Sequence, residues 1–426
     1  MMGRDGASTA VGRLAASDRA SGLIMLGCAL LGILLANLPL TADVFALVAH
    51  THVGIPATNI DLPVGSWAQD GLLTIFFLVV GLDLKQELTT GTLSNPRTAA
   101  VPMLSAVGGM LIPPALFLSV ARAASSAQLG DGTEDMGAAA AGFDAVAQGW
   151  AIPTATDIAF SLAVLSLFAK ALPNSIRAFL MTLATVDDLL GIIVIAVFFS
   201  RLNQWYWFAG LALCAFFWTL LVRRRRVPWL AVGLVGIAAW VMMFEAGVHP
   251  TLAGVLVGLL TPATERHGEM TPRAARYRDR LQPLSALVAL PIFAMFSTGM
   301  HWDAFTPALF ASPIVMGIIV ALVIGKPFGI MTTSWICTHL ARLDLPEGLR
   351  VRDLFPMSCA CGIGFTVSFL IASLAYADAG MAAESRIGIL LASLLSAAIS
   401  GILLHRQSKR YERMIPTGDA ATDPGQ

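Results

Sequence analysis

Four charged side chains stand where a charge is hardest to keep. Asp157 lies in Trp150-Ala-Ile-Pro-Thr-Ala-Thr-Asp157-Ile-Ala-Phe, and Asp187 and Asp188 are adjacent in Leu183-Ala-Thr-Val-Asp187-Asp188-Leu-Leu-Gly191. Lys326 sits in Ile324-Gly-Lys326-Pro-Phe-Gly329. All four fall in long apolar stretches, where a charge at mid-helix costs roughly 2.5–3.5 kcal/mol on insertion scales and persists because it has a task. A buried Asp–Lys pair can be purely structural, but three aspartates against one lysine leave two carboxylates without a counter-charge. Adjacent helical positions point about 100° apart. Of Asp187 and Asp188, one therefore takes the fixed counter-charge, for which Lys326 is the natural partner, and the other faces a cavity. Hard cations such as sodium take oxygen ligands, and Thr154 and Thr156 place hydroxyls beside the Asp157 carboxylate. Burial beside a like charge favours the protonated carboxyl. A proton and a metal cation then compete for the same oxygens, and the carboxylates titrate as a coupled group. Competition at a site open alternately to two sides is exchange.

The elements around these residues are membrane spans. Of 426 residues, 56% are apolar and 13% charged, with a mean hydropathy of +0.74; soluble domains run nearer a quarter charged. Val101–Val120, Ala209–Val222 and Trp229–Phe244 contain no charge. Such blocks suit helices crossing ~30 Å of hydrocarbon and are too long for barrel strands. The expected fold is an all-α polytopic membrane protein of about twelve transmembrane helices. Its spans are 21–40, 70–87, 98–121, 152–170, 175–200, 205–222, 228–246, 249–262, 283–300, 312–340, 354–376 and 384–405. Span eight is short, and Pro327 kinks the long span ten. Pro153 and Thr156 interrupt span four, while Cys361-Gly362-Ile-Gly364-Phe-Thr366-Val-Ser368 interrupts span eleven. Two broken segments in the two halves point to crossed, discontinuous helices at a midplane site; close packing through small residues is the plainer alternative.

Basic residues alternate along this layout. Segments 1–20, 85–98, 170–177, 223–226, 263–282, 341–353 and the tail hold 23 of the 27 Lys and Arg residues, and the intervening loops hold only Arg122, Arg201 and Arg386. The positive-inside rule then puts both termini in the cytoplasm of a bacterial inner membrane. Residues 1–20 and 406–426 are expected to be cytoplasmic tails flanking one transporter domain, 21–405. The first apolar run, after about twenty mixed polar residues, is expected to be a retained helix. Loop 122–150, rich in Ala and Gly, is expected to be a flexible periplasmic insert, and 48–66 a short periplasmic β-hairpin.

Several classes are disfavoured. The net charge of zero argues for no nucleic-acid partner. The five cysteines lie in apolar blocks with no metal-ligand spacing, so they are expected to be buried free thiols. The chain contains no His-Glu-x-x-His, no Gly-x-Gly-Asp and no nucleophile elbow, so an enzyme is not expected, and Gly325-Lys326 lacks the spacing of a phosphate loop. No cofactor is expected. The remaining alternative is a sodium-coupled symporter of an organic anion, which needs a deep cation not already paired with an aspartate.

The stretches Gly149-Trp-Ala-Ile-Pro-Thr-Ala-Thr-Asp157-Ile-Ala-Phe, Val186-Asp-Asp188, Gly247-Val-His249-Pro-Thr-Leu-Ala-Gly254, Ile324-Gly-Lys-Pro-Phe-Gly329 and Cys361-Gly-Ile-Gly-Phe-Thr366 closely resemble the NhaA-type sodium/proton antiporters, from about residue 20 to 405. The resemblance implies an electrogenic exporter of Na+ or Li+ in exchange for H+, serving sodium and pH homeostasis. It implies two inverted repeats, spans three to five and ten to twelve. Asp188 would be the main cation and proton carboxylate, with Asp157 and Thr156 beside it, so that sodium sits at Asp157 and Asp188. Asp187 would pair with Lys326 and move protons with it. Asp70 matches a periplasmic-side acid, and Glu87 also matches the family. His249 matches a histidine of the pH response, or else caps an interfacial turn. The hairpin would be a homodimer contact. Asp83 stands where a glutamate is common, Arg278-Asp279 where a glutamate–histidine pair is, and Ser297-Thr298 where Asn-Ala is. These departures bear on the pH response rather than on the transport site.

Overall fold

The computed structural model describes residues 18–54, 60–94, 96–128, 136–169, 172–265, 268–300, 307–346 and 348–414. Much of the expected amino-terminal tail, the tip of the hairpin, the middle of the 122–150 segment and residues 415–426 lie outside the described residues. Eight helices are long and apolar enough to cross a membrane: α1 (Ala20–Asn37), α3 (Val64–Thr89), α4 (Ala99–Ala124), α7 (Asn174–Phe198), α8 (Tyr206–Arg223), α11 (Arg273–Ser297), α12 (Pro313–His339) and α15 (Ala379–Arg413). Two bent pairs raise the number to ten: Gly142–Thr154 with α6 (Ile158–Phe168), and Val351–Ala360 with α14 (Phe365–Ala375). Eight to ten of the expected twelve spans are thus long and apolar enough to cross, among the described residues. The remaining two apolar segments form α9 (Trp229–Glu245, 17 residues) and α10 (Leu252–Leu260, 9 residues). Nine residues rise only about 14 Å, under half the hydrocarbon thickness.

Short helix α2 (Ala42–His50) leads into β1 (His52–Val53), which pairs antiparallel with β2 (Leu62–Pro63) in the register His52 to Pro63 and Val53 to Leu62. Much of the expected loop 122–150 is helix instead: α4 runs on to Gln128, and α5 covers Met136–Ala147. Its alanine-rich composition favours helix more than flexibility. The arginine-rich loop is likewise shorter than expected, because α11 starts at Arg273 rather than near 283. Pro327 follows a π-helical turn, Ala321–Gly325, that absorbs the missing donor within a continuous helix. Pro102, Pro113 and Pro114 also lie inside α4, as helices in lipid tolerate when neighbours satisfy the freed carbonyls.

Apolar side chains face outward as well as inward. Leu213, Leu220, Leu234 and Ile237 on α8 and α9 are exposed, as they would be against lipid tails. The largest apolar core joins both broken spans: Ile152 and Ala155 pack with Leu322, Phe365 and Phe369. Elsewhere, α3 and α10 approach backbone to backbone. A Cβ on Gly258 would lie 2.8 Å from the Gly81 carbonyl carbon, and one on Gly81 would lie 2.7 Å from the Val255 oxygen.

Candidate functional site

The site is made by two interruptions facing each other. After Pro153 the chain runs as 3-10 helix to Thr154, passes through extended Ala155, and restarts as α6. Val351–Ala360, ending in α13 (Phe355–Ala360), restarts as α14 at Phe365. Gly362 is needed here, since a Cβ would lie 2.5 Å from the Leu322 carbonyl oxygen. The breaks are laced together. Asp157 N donates to Ile363 O at 2.7 Å, Thr156 Oγ1 to Cys361 O at 2.9 Å, Ser161 Oγ to Ala360 O at 2.8 Å and Ser368 Oγ to Ile152 O at 2.8 Å. Each interrupted helix exposes orphan N–H and C=O groups, and the opposite break supplies much of what satisfies them.

Asp157 is the N-cap of α6. Its Oδ1 accepts from Phe160 N at 3.0 Å, and its Oδ2 accepts from Thr366 N at 3.2 Å in the first turn of α14. One carboxylate thus serves two helix N-termini, whose partial positive charge offsets it. Counting side chains leaves two carboxylates without a counter-charge; the backbone supplies one for Asp157. The opposite polarity is met by Lys326, which is fully buried. Its Nζ donates to the Thr154 carbonyl, at the C-terminal end of a half-span, and to Asp187 Oδ2 at 2.7 Å.

Asp187 and Asp188 then differ as sharply as their angular separation requires. Asp187 holds the lysine, while its Oδ1 is buried without a partner. Asp188 is 8% exposed and makes no hydrogen bond or ion pair with any described residue. The charges of Asp187, Asp157 and Lys326 all act on it. Thr156, 1% exposed, spends its hydroxyl proton on the opposite break, leaving oxygen lone pairs for a ligand. Such a cluster offers carboxylate, hydroxyl and backbone oxygens to a small hard cation, and the same carboxylate oxygens to a proton.

The other four candidate residues lie apart from this cluster. Asp70 and Asp83 stand 13 residues apart on α3, about 20 Å along the helix. Asp70 Oδ1 is 3.5 Å from His249 Nε2, and His249 Nδ1 meets Thr251 Oγ1 at 2.8 Å. Trp240 Nε1 donates to Asp70 O at 3.0 Å and stacks between Trp67 and Phe244. At the far end of α3, Asp83 Oδ1 lies 2.9 Å from Arg278 Nε of α11. Glu87 is one turn further on and adds its charge there. Sequence reasoning noted Arg278 only as a departure; what it missed is that Arg278 meets Asp83. The amide of Thr366 and the carbonyl of Thr154 are backbone groups that no residue type reveals, though Pro153, Gly362 and Gly364 mark where backbone is freed.

The comparisons agree with one another. Residues 12–404 match the family described as Na+/H+ antiporter 1. The chain is 65% identical over 415 residues to the Na(+)/H(+) antiporter NhaA of Bifidobacterium longum, covering 96% of this chain and 88% of that protein. It is 68% identical over 400 residues to the protein of the same name from Bifidobacterium adolescentis, covering 94% and 88%. Similarity to Na(+)/H(+) antiporter NhaA 3 of Streptomyces coelicolor is 38% over 402 residues, covering 94% and 81%. Matched nearly end to end, and built from eight to ten membrane-spanning elements, this multi-pass membrane protein belongs to the Na+/H+ antiporter 1 family.

Proposed function

We infer that the chain is a Na+/H+ antiporter whose exchange runs through Asp188. The observation that carries this reading is the Asp188 carboxylate itself: buried at mid-span, without a hydrogen-bonding or ionic partner among the described residues, beside Asp157 and Asp187. A site with that much unpaired negative charge attracts either a cation or a proton, and one excludes the other. Sodium sits on the Asp188 and Asp157 carboxylates with Thr156 beside them. Occupancy draws on Asp157, so it loosens the cap shared by α6 and α14 and couples filling of the site to movement of the half-helices. The Asp187–Lys326 pair is neutral in itself and, as the cation arrives, shifts its proton.

Exchange is electrogenic, with more protons entering than cations leaving, and Li+ replaces Na+. The protein works as a homodimer in the bacterial inner membrane, joined at the hairpin, with twelve spans when α9 and α10 are counted and with the broken spans four and eleven crossed. Both termini are cytoplasmic. Asp70 with His249, and Asp83 with Glu87, stand at the two ends of the path as access and pH-response groups. Symport of an organic anion has no support from the cluster, since its one cation is already engaged by Asp187 and Thr154.

Everted vesicles from a strain lacking sodium/proton antiporters test this directly. An acid-loaded interior should lose its proton gradient on addition of sodium or lithium. The Asp188→Asn protein, inserted at the same level, should leave the gradient intact. Gradients that survive both cations from mildly acidic to alkaline pH would refute the reading.

A further inference from the structure

Arg386 takes no part in the carboxylate cluster. It lies on α15 at the hairpin end of the molecule and opens onto a cavity of about 320 Å³. Phe45 and His50 of α2, Ser66 and Gln69 of α3, and Ser297 of α11 help line that space. The lining contains no carboxylate among the described residues. Among the described residues Arg386 makes no ion pair or hydrogen bond, and its Nε is shut off from solvent. Glu384, the nearest acid on its own helix, is held by Ser312 Oγ at 2.5 Å, and two helical positions on it points about 200° away.

A buried arginine with a purely structural task looks different in this same protein. Arg273 spends its guanidinium on Glu269 and on the carbonyls of Val222 and Arg224. Arg386 has no such set among the described residues. Arg386 is half-buried, and its Nε is shut off from solvent without a described partner, which carries a desolvation cost; the rest of its planar fork of donors is left to face the cavity and suits a small anion. Further donors face the same space: the hydroxyls of Ser66 and Ser297 have no other described partner. Gln69 is already committed to Ser373. His50 adds no donor: Nδ1 donates to Ala46 O at 2.7 Å, which leaves Nε2 of the neutral ring an acceptor. At roughly 30 Å³ for a water's share of liquid volume, the cavity has room for a chloride ion with part of its hydration shell, or for a short carboxylate.

We propose that this cavity binds a small monovalent anion, a halide or a short-chain carboxylate, on the guanidinium of Arg386. The anion completes the charge balance at the hairpin end and ties α15 to α2 and α3. This inference is independent of the exchange reaction.

Thermal unfolding of the full-length protein in detergent, with total sodium held constant as sulfate and then replaced by chloride or acetate, tests it. A saturable rise of about 2–4 °C in Tm with either anion is expected. It should vanish in Arg386→Gln and persist in part in Arg386→Lys. A rise with chloride alone identifies a halide site, and one with acetate alone a carboxylate site. Bromide soaked into crystals should give an anomalous peak against Arg386. Retained sodium/proton exchange in Arg386→Gln would show that this variant is folded. Identical titrations of the native and Arg386→Gln proteins, or a bromide peak absent from the cavity, would overturn the proposal.

Discussion

Asp157 and Asp188 carry the same functional group in different environments, and substitution should separate them. Asparagine at 157 keeps an N-capping oxygen for Phe160 N while removing the charge. Asp157→Asn should therefore insert and fold, and lose at least about tenfold in apparent sodium affinity, as read from the sodium dependence of proton exchange. Asp188→Asn should lose exchange altogether. Lys326→Ala has a different consequence, because it strands Asp187, which is buried and already has one unsatisfied oxygen. Removing one partner of a buried pair costs about 3–5 kcal/mol. Its Tm should fall by several degrees, and Asp187→Asn in the same chain should restore much of the loss. Equal Tm values for Lys326→Ala and the native protein would show that the pair contributes nothing to holding the cluster. The depth and type of these four residues were readable from residue spacing. Their backbone partners were not, because a residue string does not say where a freed amide will point. For that reason a count of charges overstated the imbalance at Asp157.

The element scale concerns what is tied to what. The loop between α10 and α11 is clasped by Glu269, which accepts from Arg273 Nη2 and Arg276 Nη2, each at 2.8 Å. The Arg273 hydrogen bond, with help from both arginine charges, holds the Glu269 carboxyl below the ordinary glutamate range. A carboxylate with a depressed pKa contributes stability above its unfolded pKa and loses it as pH falls through the folded value. The clasp should thus be constant through neutral and mildly acidic pH and loosen only in acid. Hydrogen exchange across residues 261–276 reports this. Glu269→Gln should show at neutral pH the faster exchange that the native chain shows only in acid. Protection that varies between pH 6 and 8 would point to a different group. At the α3–α11 contact, Asp83 and Arg278 are both about two-fifths exposed, so screening keeps that pair near 0–1 kcal/mol, and its removal should be seen in the pH profile rather than in stability. Helix ends were the least legible part of the sequence. The start of α11 was hidden by its arginines, which made the segment read as a polar loop although Ala274 and Tyr277 between them are buried. The helix α5 was hidden by alanines and glycines that read as flexible chain.

For the whole molecule, two patterns were visible without coordinates: long apolar runs, and basic residues confined to alternate connections. They gave a multi-pass helical protein and the order of its spans. Span eight read as short, and α10 is short; that α9 also falls short of full length was not legible, because hydropathy measures transfer free energy and not where a helix stops. Reporter fusions check the orientation proposed here. A fluorescent protein that folds only in the cytoplasm should shine when fused at either end, and a periplasmic phosphatase should be active at the hairpin and at the connections holding Arg122, Arg201 and Arg386, and at none of the arginine-rich connections. Activity at the Arg223–Arg226 connection would invert the topology and with it the direction of transport.

Whether one carboxylate serves two ions is a question for a pH electrode. Sodium added to the purified protein in weakly buffered solution should displace protons from the cluster. The amount released should rise and then fall with pH as the site passes from protonated to empty, because a competing proton is linked to cation binding. Asp188→Asn should release none. Sodium binding with no proton release at any pH, or release from Asp188→Asn equal to that of the native chain, would contradict exchange at this residue.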